Sequence, residues 1–342
     1  MKRFNLITIL ALSAMFIYTN CNKEKEKEEE KEECTISPYI EGLSIENYPI
    51  IDGSTSTLPL NTVIACELMG LDFQWQENRG HGTSSWSIEP QIGSCLRKKF
   101  DMVVKSSQTH NSYINLIDRE VDIVLSARSM SPDEKKYAED KGVGLIETPI
   151  ALDAFIFIIN PQNPIKELTT EDIQNIYTGK VTDWEEFGWL SSAFPEWLPE
   201  WYPTEISPYI RNTNSGSQEL MDLLVMKGLE YYMQLPIYEE RLISTMQGLL
   251  DAIVRNPFAI GYTVYYYNEK IIRPGNALKT IGIDGVYPNK QTISNRSYPY
   301  ATEVYAVIRY DIDKSSMAHQ IYEWLQTEAG REAISKSGYV LN

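Results

Sequence analysis

The run ALDAFIFIIN, Ala151 to Asn160, constrains the fold more than any other stretch. Its apolar centre is the strongest strand signal in the chain. It leads into LTTEDIQNIYTGK, a helix with Thr169 or Thr170 as cap and Gly179 as stop. The same strand-then-helix order recurs elsewhere. YPIIDGST reads as a short buried strand entering a turn, and TLPLNTVIACELMG as a helix with proline near its first turn and Gly70 at its end. FDMVV (Phe100 to Val104) and DIVLSA read as strands, with the helical SYINLIDREV between them. FAIGYTVYYY and ATEVYAVIRY read as later strands, and MAHQIYEWLQTEAGREAISKSGYV as an amphipathic helix interrupted near Gly330. DFQWQENRGHGTSSWSIEP, polar and rich in Gly and Ser, reads as a loop. Strands alternating with helices predict an α/β fold with largely parallel sheets. At 342 residues, two lobes are favoured over one core.

The N-terminus carries its own instructions. Lys2 and Arg3 precede FNLITILALSAMFIY, so residues 1–20 read as an export signal, too short for a permanent span. Cys21 follows directly, in the place of a bacterial lipoprotein's lipid-bearing cysteine, although YTN before it departs from the usual small residues. A signal cleaved nearby without lipid is the alternative. NKEKEKEEEKEE has no apolar residue to bury, so residues 21–34 read as a lipidated cysteine and a charged tether. The expected location is the periplasm or cell surface, anchored to the membrane through Cys21. Cys34, Cys66 and Cys95 permit at most one bridge, and spacing does not say which. Without CxxC or His-rich clusters, no metal or cofactor is expected.

A formal charge of -16 argues against a broad basic surface for nucleic acid. Any bound anion must be drawn by a few aimed donors. Four hydroxyl-rich turns offer them, each ahead of a helix. DGSTSTLPL supplies Ser54, Thr55, Ser56 and Thr57, more hydroxyls than helix capping needs. VKSSQTHNSYI supplies Ser106, Ser107, Thr109 and Ser112. In VLSARSMSPDE, Arg128 either faces an anion or pairs with Asp133 or Glu134. In RNTNSGSQEL, Arg211 precedes Ser215, Gly216 and Ser217, and glycine suits a close backbone approach to a ligand. In an open α/β sheet such turns gather at the carboxyl ends of the strands, where helix N-termini attract anions.

Signals for catalysis are weak, and no enzyme activity is expected. GxSxG, GxxxxGK[ST], GxGxxG and HExxH are all absent. His110, within a hydroxyl-rich turn, leaves a Ser/His hydrolase of phosphate esters as a remote alternative. PEWLPEWYP (Pro195 to Pro203) repeats Pro-Glu-Trp and excludes a regular helix. It reads as an ordered loop covering its lobe, or as a docking segment for a partner or ligand.

These turns, in this order, resemble the phosphate-binding protein of bacterial phosphate ABC transporters and its periplasmic-type solute-binding relatives. DGSTSTLPL is similar to that family's first phosphate loop, IYTGKVTDW to a segment of its second lobe, and RNTNSGSQEL to its Arg-x-x-x-Ser-Gly-Thr loop. AIGYTVYY and EAGREAISKSGYV match its late strand and terminal helix, so the likeness runs from about Ile51 to Val340. The resemblance implies a two-lobed periplasmic-binding-protein-like (type II) fold with the ligand cleft between lobes. Lobe 1 is then residues 35–150 and 298–342, and lobe 2 residues 151–297. It implies capture of inorganic phosphate, as a monomer, for an ABC-transporter permease. A sensor or binding lipoprotein for sulfate, tungstate or molybdate is the alternative.

By the same matching, Ser56, Thr57 and the N–H of Leu58 hold phosphate from the first loop. Thr109 holds it from the second, or Ser107 or His110 if the alignment slips by a residue. Arg128 and Arg211 are the cations, and Ser215, Gly216 and Ser217 donate from a helix start, Ser217 replacing the usual threonine. Some members have an aspartate that accepts the proton of hydrogen phosphate. Here Ala127 stands in that place.

Overall fold

The computed structural model describes residues 36–79, 84–189, 204–232 and 241–342. The signal, Cys21, the tether, Cys34 and PEWLPEWYP lie outside the described residues. The first half of the chain runs β1 (Ile51–Gly53), α1 (Leu58–Met69), β2 (Phe73–Asn78), β3 (Ser85–Pro90), α2 (Ser94–Val103), α3 (Thr109–Ile117), β4 (Ile123–Ser126), α4 (Pro132–Lys141) and β5 (Leu145–Ile159). Next come β6 (Glu167–Leu168), α5 (Thr170–Tyr177), β7 (Ser207–Pro208), β8 (Ile210–Arg211) and α6 (Gly216–Leu220), which continues as a π-helix (Met221–Met226). β9 (Leu242–Ile243), α7 (Met246–Arg255) and β10 (Ala259–Val264) follow, then a π-helical segment (Tyr267–Ile272), β11 (Lys279–Thr280), β12 (Gly282–Ile283) and α8 (Lys290–Ser294). The chain closes with β13 (Ala301–Arg309), α9 (Met317–Trp324) and α10 (Glu328–Ser337).

β5 is the axis of the molecule. Its first part, Leu145 to Ala154, pairs with β13; its last part, Phe155 to Ile159, pairs with β10. The strand order is β1-β4-β13-β5-β10-β7, with β11 also on β5. One strand therefore carries two half-sheets, each with its own helices. Phe155, Phe157, Tyr177, Tyr262 and Tyr300 pack edge to face and tilted around its second part.

The sheet is more mixed than the alternation of elements predicts. β1 pairs with β4, and β7 with β10, in parallel, but β13 runs antiparallel to both β4 and β5, and β10 antiparallel to β5. The apolar pattern reports burial and not direction, and β13 returns from the far end of the chain to fill the gap beside β5.

Two segments differ from their sequence reading. FDMVV ends in helix α2, because Leu96 and Phe100 are four apart and both buried; only Val104 makes a bridge, to Ile51. The expected loop after Leu71 is the β2–β3 hairpin, in which Trp75 pairs with Ile88 and Trp86 with Glu77. Alternate residues of β2 are turned inward, the period of a strand. At the C-terminus the helix breaks between Trp324 and Glu328, with Thr327 capping the N–H of Gly330. Gly330 lies just inside α10, where a Cβ would collide with the carbonyl of Trp324. Of the cysteines, Cys66 is free, and burial pushes its thiol up to about 12. Cys95 is disulfide-bonded.

Candidate anion site

The turn after β1 is built around a glycine. A Cβ on Gly53 would collide with the Leu125 carbonyl and the Thr57 hydroxyl, so this approach of β1 to β4 needs glycine. The Ser54 hydroxyl accepts from the Ala127 N–H at 3.0 Å and shares a hydrogen bond with the Thr109 hydroxyl at 2.9 Å. One serine thus ties three turns together. The Thr57 hydroxyl donates to the Leu125 carbonyl at 2.7 Å, which turns it inward.

Asp52 sets the second turn. Its buried carboxylate accepts from the Gly53 and Ser107 N–H groups at 2.8 and 2.7 Å, and from the Asn115 amide at 2.9 Å. The chain then passes through Gln108, at φ 71, to start α3 at Thr109. Across the cleft, α6 starts so close to Thr109 that a Cβ on Gly216 would collide with its hydroxyl. The two helix starts nearly touch.

Arg128 and Arg211 are both buried but differently placed. Arg128 donates two hydrogen bonds to Glu134, at 2.8 and 2.7 Å, and one to the Ser129 carbonyl, while its Nε has no partner. Burial works against its charge, but the bond and charge of Glu134 outweigh this and raise its pKa. His110 Nδ1 lies 3.0 Å from the same carboxylate. Among the described residues, Arg211 has no such counter-charge. Its Nε and Nη2 donate to the carbonyls of Ile243 and Ser244 at 3.0 and 3.1 Å, and its Nη1 to the Ser217 hydroxyl at 3.3 Å. Burial pushes its pKa down against Tyr262 and Tyr267, and among the described residues no carboxylate acts to raise it. The short parallel pair of β8 and β9 aims it, Arg211 lying beside Ile243.

These groups enclose a cavity of about 240 Å³ lined by Ser54, Thr55, Ser56, Gln108, Thr109, Ala127, Arg128, Arg211, Ser215, Gly216 and Ser217, and by Thr245, Met246, Gln247 and Tyr267 among others. Four helical starts converge there: a short 3-10 turn, Thr55–Thr57, ahead of α1, and the starts of α3, α6 and α7 at Thr109, Gly216 and Met246. Each presents N–H groups without internal partners. Burial pushes the Tyr267 phenol up to about 12, while Arg211 acts in the opposite sense. Among the described residues, no carboxylate lines the cavity.

Seven of the nine residues expected from sequence meet here: Ser56, Thr109, Arg128, Arg211, Ser215, Gly216 and Ser217. Thr57 and Leu58 do not. Thr57 faces β4, and Leu58 lies one step further along the helix, 37% exposed on a neighbouring cavity. Ser54 and Thr55 take their place. Ser107 and His110 are also off the lining. Sequence reasoning missed Gln108, Tyr267 and the whole fifth turn, Thr245 to Gln247. The signal for that turn was Thr245 three residues before Gly248, whose N–H it accepts at 3.0 Å.

A family model described as a PBP superfamily domain matches residues 96–327. The chain is 23% identical over 220 residues to phosphate-binding protein PstS of Borreliella burgdorferi, covering 64% of this chain and 71% of that one. It is 26% identical to PstS of Staphylococcus epidermidis, covering 77% and 78%. Among solved structures, a putative phosphate ABC transporter substrate-binding protein with bound phosphate from Clostridium perfringens superposes at TM-score 0.58 with 20% identity, over 86% of this chain and 99% of that one. An ABC-type phosphate transport receptor from Vibrio cholerae gives 0.56 with 17% identity, over 86% and 99%. At such identities the structural likeness speaks for the two-lobed fold alone.

Proposed function

The chain belongs to the PBP superfamily, and on that premise we propose that it captures inorganic phosphate outside the cytoplasm and hands it to an ABC-transporter permease. The observation that carries this reading is Arg211, a buried guanidinium without a carboxylate partner among the described residues, facing a small cavity ringed by four helical starts. A buried, uncompensated cation is costly, and a tetrahedral anion meets its charge while taking up the surrounding N–H and O–H donors. The site is built for binding and not for chemistry. His110 faces Glu134 and is off the cavity lining, which leaves the hydroxyls there without a base.

Closure belongs to the same reading. Lobe 1, residues 35–150 and 298–342, supplies the turns after β1, α2 and β4; lobe 2, residues 151–297, supplies Arg211, α6 and α7. The change of partner along β5 at Ala154 and Phe155 supports a hinge there. Export through residues 1–20, anchoring through Cys21 and a tether to residue 34 keep the binding protein beside its permease.

Titration calorimetry with phosphate, sulfate, tungstate and molybdate tests the ligand. Phosphate is expected to bind with a Kd of about 1 μM or lower. Silence with phosphate and tight binding of another oxyanion transfers the assignment to that ion. Ala127 in place of an acidic acceptor, and a lining without carboxylates, favour sulfate as the next candidate, since nothing there repels a fully ionised anion. Arg211→Ala is expected to weaken binding at least about a hundredfold with the fold intact; unchanged affinity removes Arg211 from the site.

A further inference from the structure

The anion cavity is not sealed. Thr55, Gln247 and Tyr267 line both it and a second cavity of about 510 Å³, so the two spaces share one wall. The second has a different chemistry. Its apolar surfaces come from Leu58 and Pro59 at the start of α1, Phe100 and Val104 at the end of α2, Ile88 of the hairpin and Ile271, while Asn78, Ser85, Ser87 and Glu89 add polar groups along the hairpin side. Its roof is held in place. The Arg273 guanidinium lies over the rings of both Trp75 and Trp86 of the hairpin, at 4.6 and 4.2 Å from the ring centroids. Arg273 follows the π-helical segment that begins at Tyr267, so the roof and the shared wall are tied to one another. At the rim, Arg97 lies 3.4 Å from Glu89 and 3.8 Å from Asp101, which offsets one of their two charges.

A lone tetrahedral anion has no use for this annex, because its oxygens are met within the first cavity. An anion with one oxygen replaced by, or esterified to, an apolar group does. We propose that the site accepts organic phosphates, phosphonates and phosphomonoesters, whose anionic head sits with Arg211 and whose aromatic or branched apolar substituent passes Thr55, Gln247 and Tyr267 into the annex. This rests on the anion reading above and enlarges its ligand class. The head supplies the charge that Arg211 lacks, and the substituent covers the apolar side chains beneath the hairpin.

Phenylphosphonate, which has no ester bond to hydrolyse, is the probe, with inorganic phosphate and methylphosphonate beside it in competition calorimetry on the mature chain. Phenylphosphonate is expected to displace phosphate with a Kd within about tenfold of it, and to bind more tightly than methylphosphonate. Thr62→Phe and Val104→Phe each add a ring to a residue that lines the annex and not the anion cavity. Either is expected to weaken phenylphosphonate about tenfold or more while phosphate changes less than about twofold, which also reports that the variant is folded. Wild-type protein that binds phosphate but ignores phenylphosphonate overturns the annex and leaves the phosphate reading standing. Equal weakening of both ligands in the two variants, or no effect of either variant on phenylphosphonate, overturns it as well. If neither ligand binds, both readings fall together.

Discussion

Glu134 decides how much of the two arginines' charge reaches the cleft. It is fully buried, caps α4 through the Ser131 N–H and holds Arg128 by two hydrogen bonds, so Arg128 lines the cavity with its charge largely answered. Arg211 is the cation left over. Glu134→Gln should therefore act in two directions. Losing one partner of a buried pair costs about 3–5 kcal/mol, and urea unfolding of the unliganded variant is expected to show a loss of that order. Anion affinity should rise, because Arg128 then faces the cavity uncompensated, and saturating phosphate should restore part of the lost stability. A variant as stable as the parent with the same phosphate affinity would show that Glu134 does not govern Arg128. Sequence offered pairing with Asp133 or Glu134 and a place facing an anion as alternatives; the side chain pairs with Glu134 and also lines the cavity. Thr57 was less legible. A run of four hydroxyls says that some are available, but which one turns inward depends on the Leu125 carbonyl, 68 residues away.

At the scale of elements, β5 was the most legible strand, yet its change of partner was invisible. ALDAFIFII is buried throughout and apolar except at Asp153, and pairing with β13 or β10 leaves the same pattern. The one mark of the junction is Asp153, the last residue but one before the switch. Its carboxyl is fully buried; Oδ1 accepts from the Ala154 and Tyr266 N–H groups at 2.8 and 2.9 Å, and Oδ2 has no partner. Burial pushes its pKa up to about 7, with the two N–H groups acting in the opposite sense. In the unfolded chain the group titrates near ~3.9, so the folded state holds the proton more tightly. Its contribution to stability is then full below about pH 4 and is lost as pH rises through about 7. Asp153→Asn keeps the Oδ1 acceptor and cannot ionise. The variant is expected to gain on the parent between pH 4 and 8, by about 1–4 kcal/mol at the upper end, in urea unfolding followed across that range. A constant difference between the two proteins over the series would mean that Asp153 does not titrate there.

At the scale of the whole molecule, the half-sheets are tied by the β5 strand, by Tyr266 stacking on Tyr339 and donating to the Ser337 carbonyl, and by the hairpin clasp on Arg273. The clasp had no sequence signal, because the hairpin reads as a polar loop and the arginine lies some 190 residues further on. Yet the pleat makes it understandable. Trp75 and Trp86 occupy the same face of adjacent strands, one register step apart, which leaves a slot that a planar guanidinium fills. Each such contact is worth about 0.5–2 kcal/mol. The clasp joins the elements of β1 and α1 to those of β10, so on the hinge proposed at β5 that energy would favour closure whether or not a ligand is present. Removing it should leave each half folded and shift the balance towards opening. Arg273→Ala is expected to raise the phosphate dissociation rate about threefold to thirtyfold, with a larger radius of gyration in small-angle scattering of the unliganded protein. Trp75→Ala with Trp86→Ala should reproduce the effect, and adding Arg273→Ala to that pair should change little more, since all three remove the same contact. If dissociation and scattering are unmoved in these variants, the clasp stabilises the hairpin alone, and the cleft is held shut by the anion and the two helix starts that meet at Gly216 and Thr109.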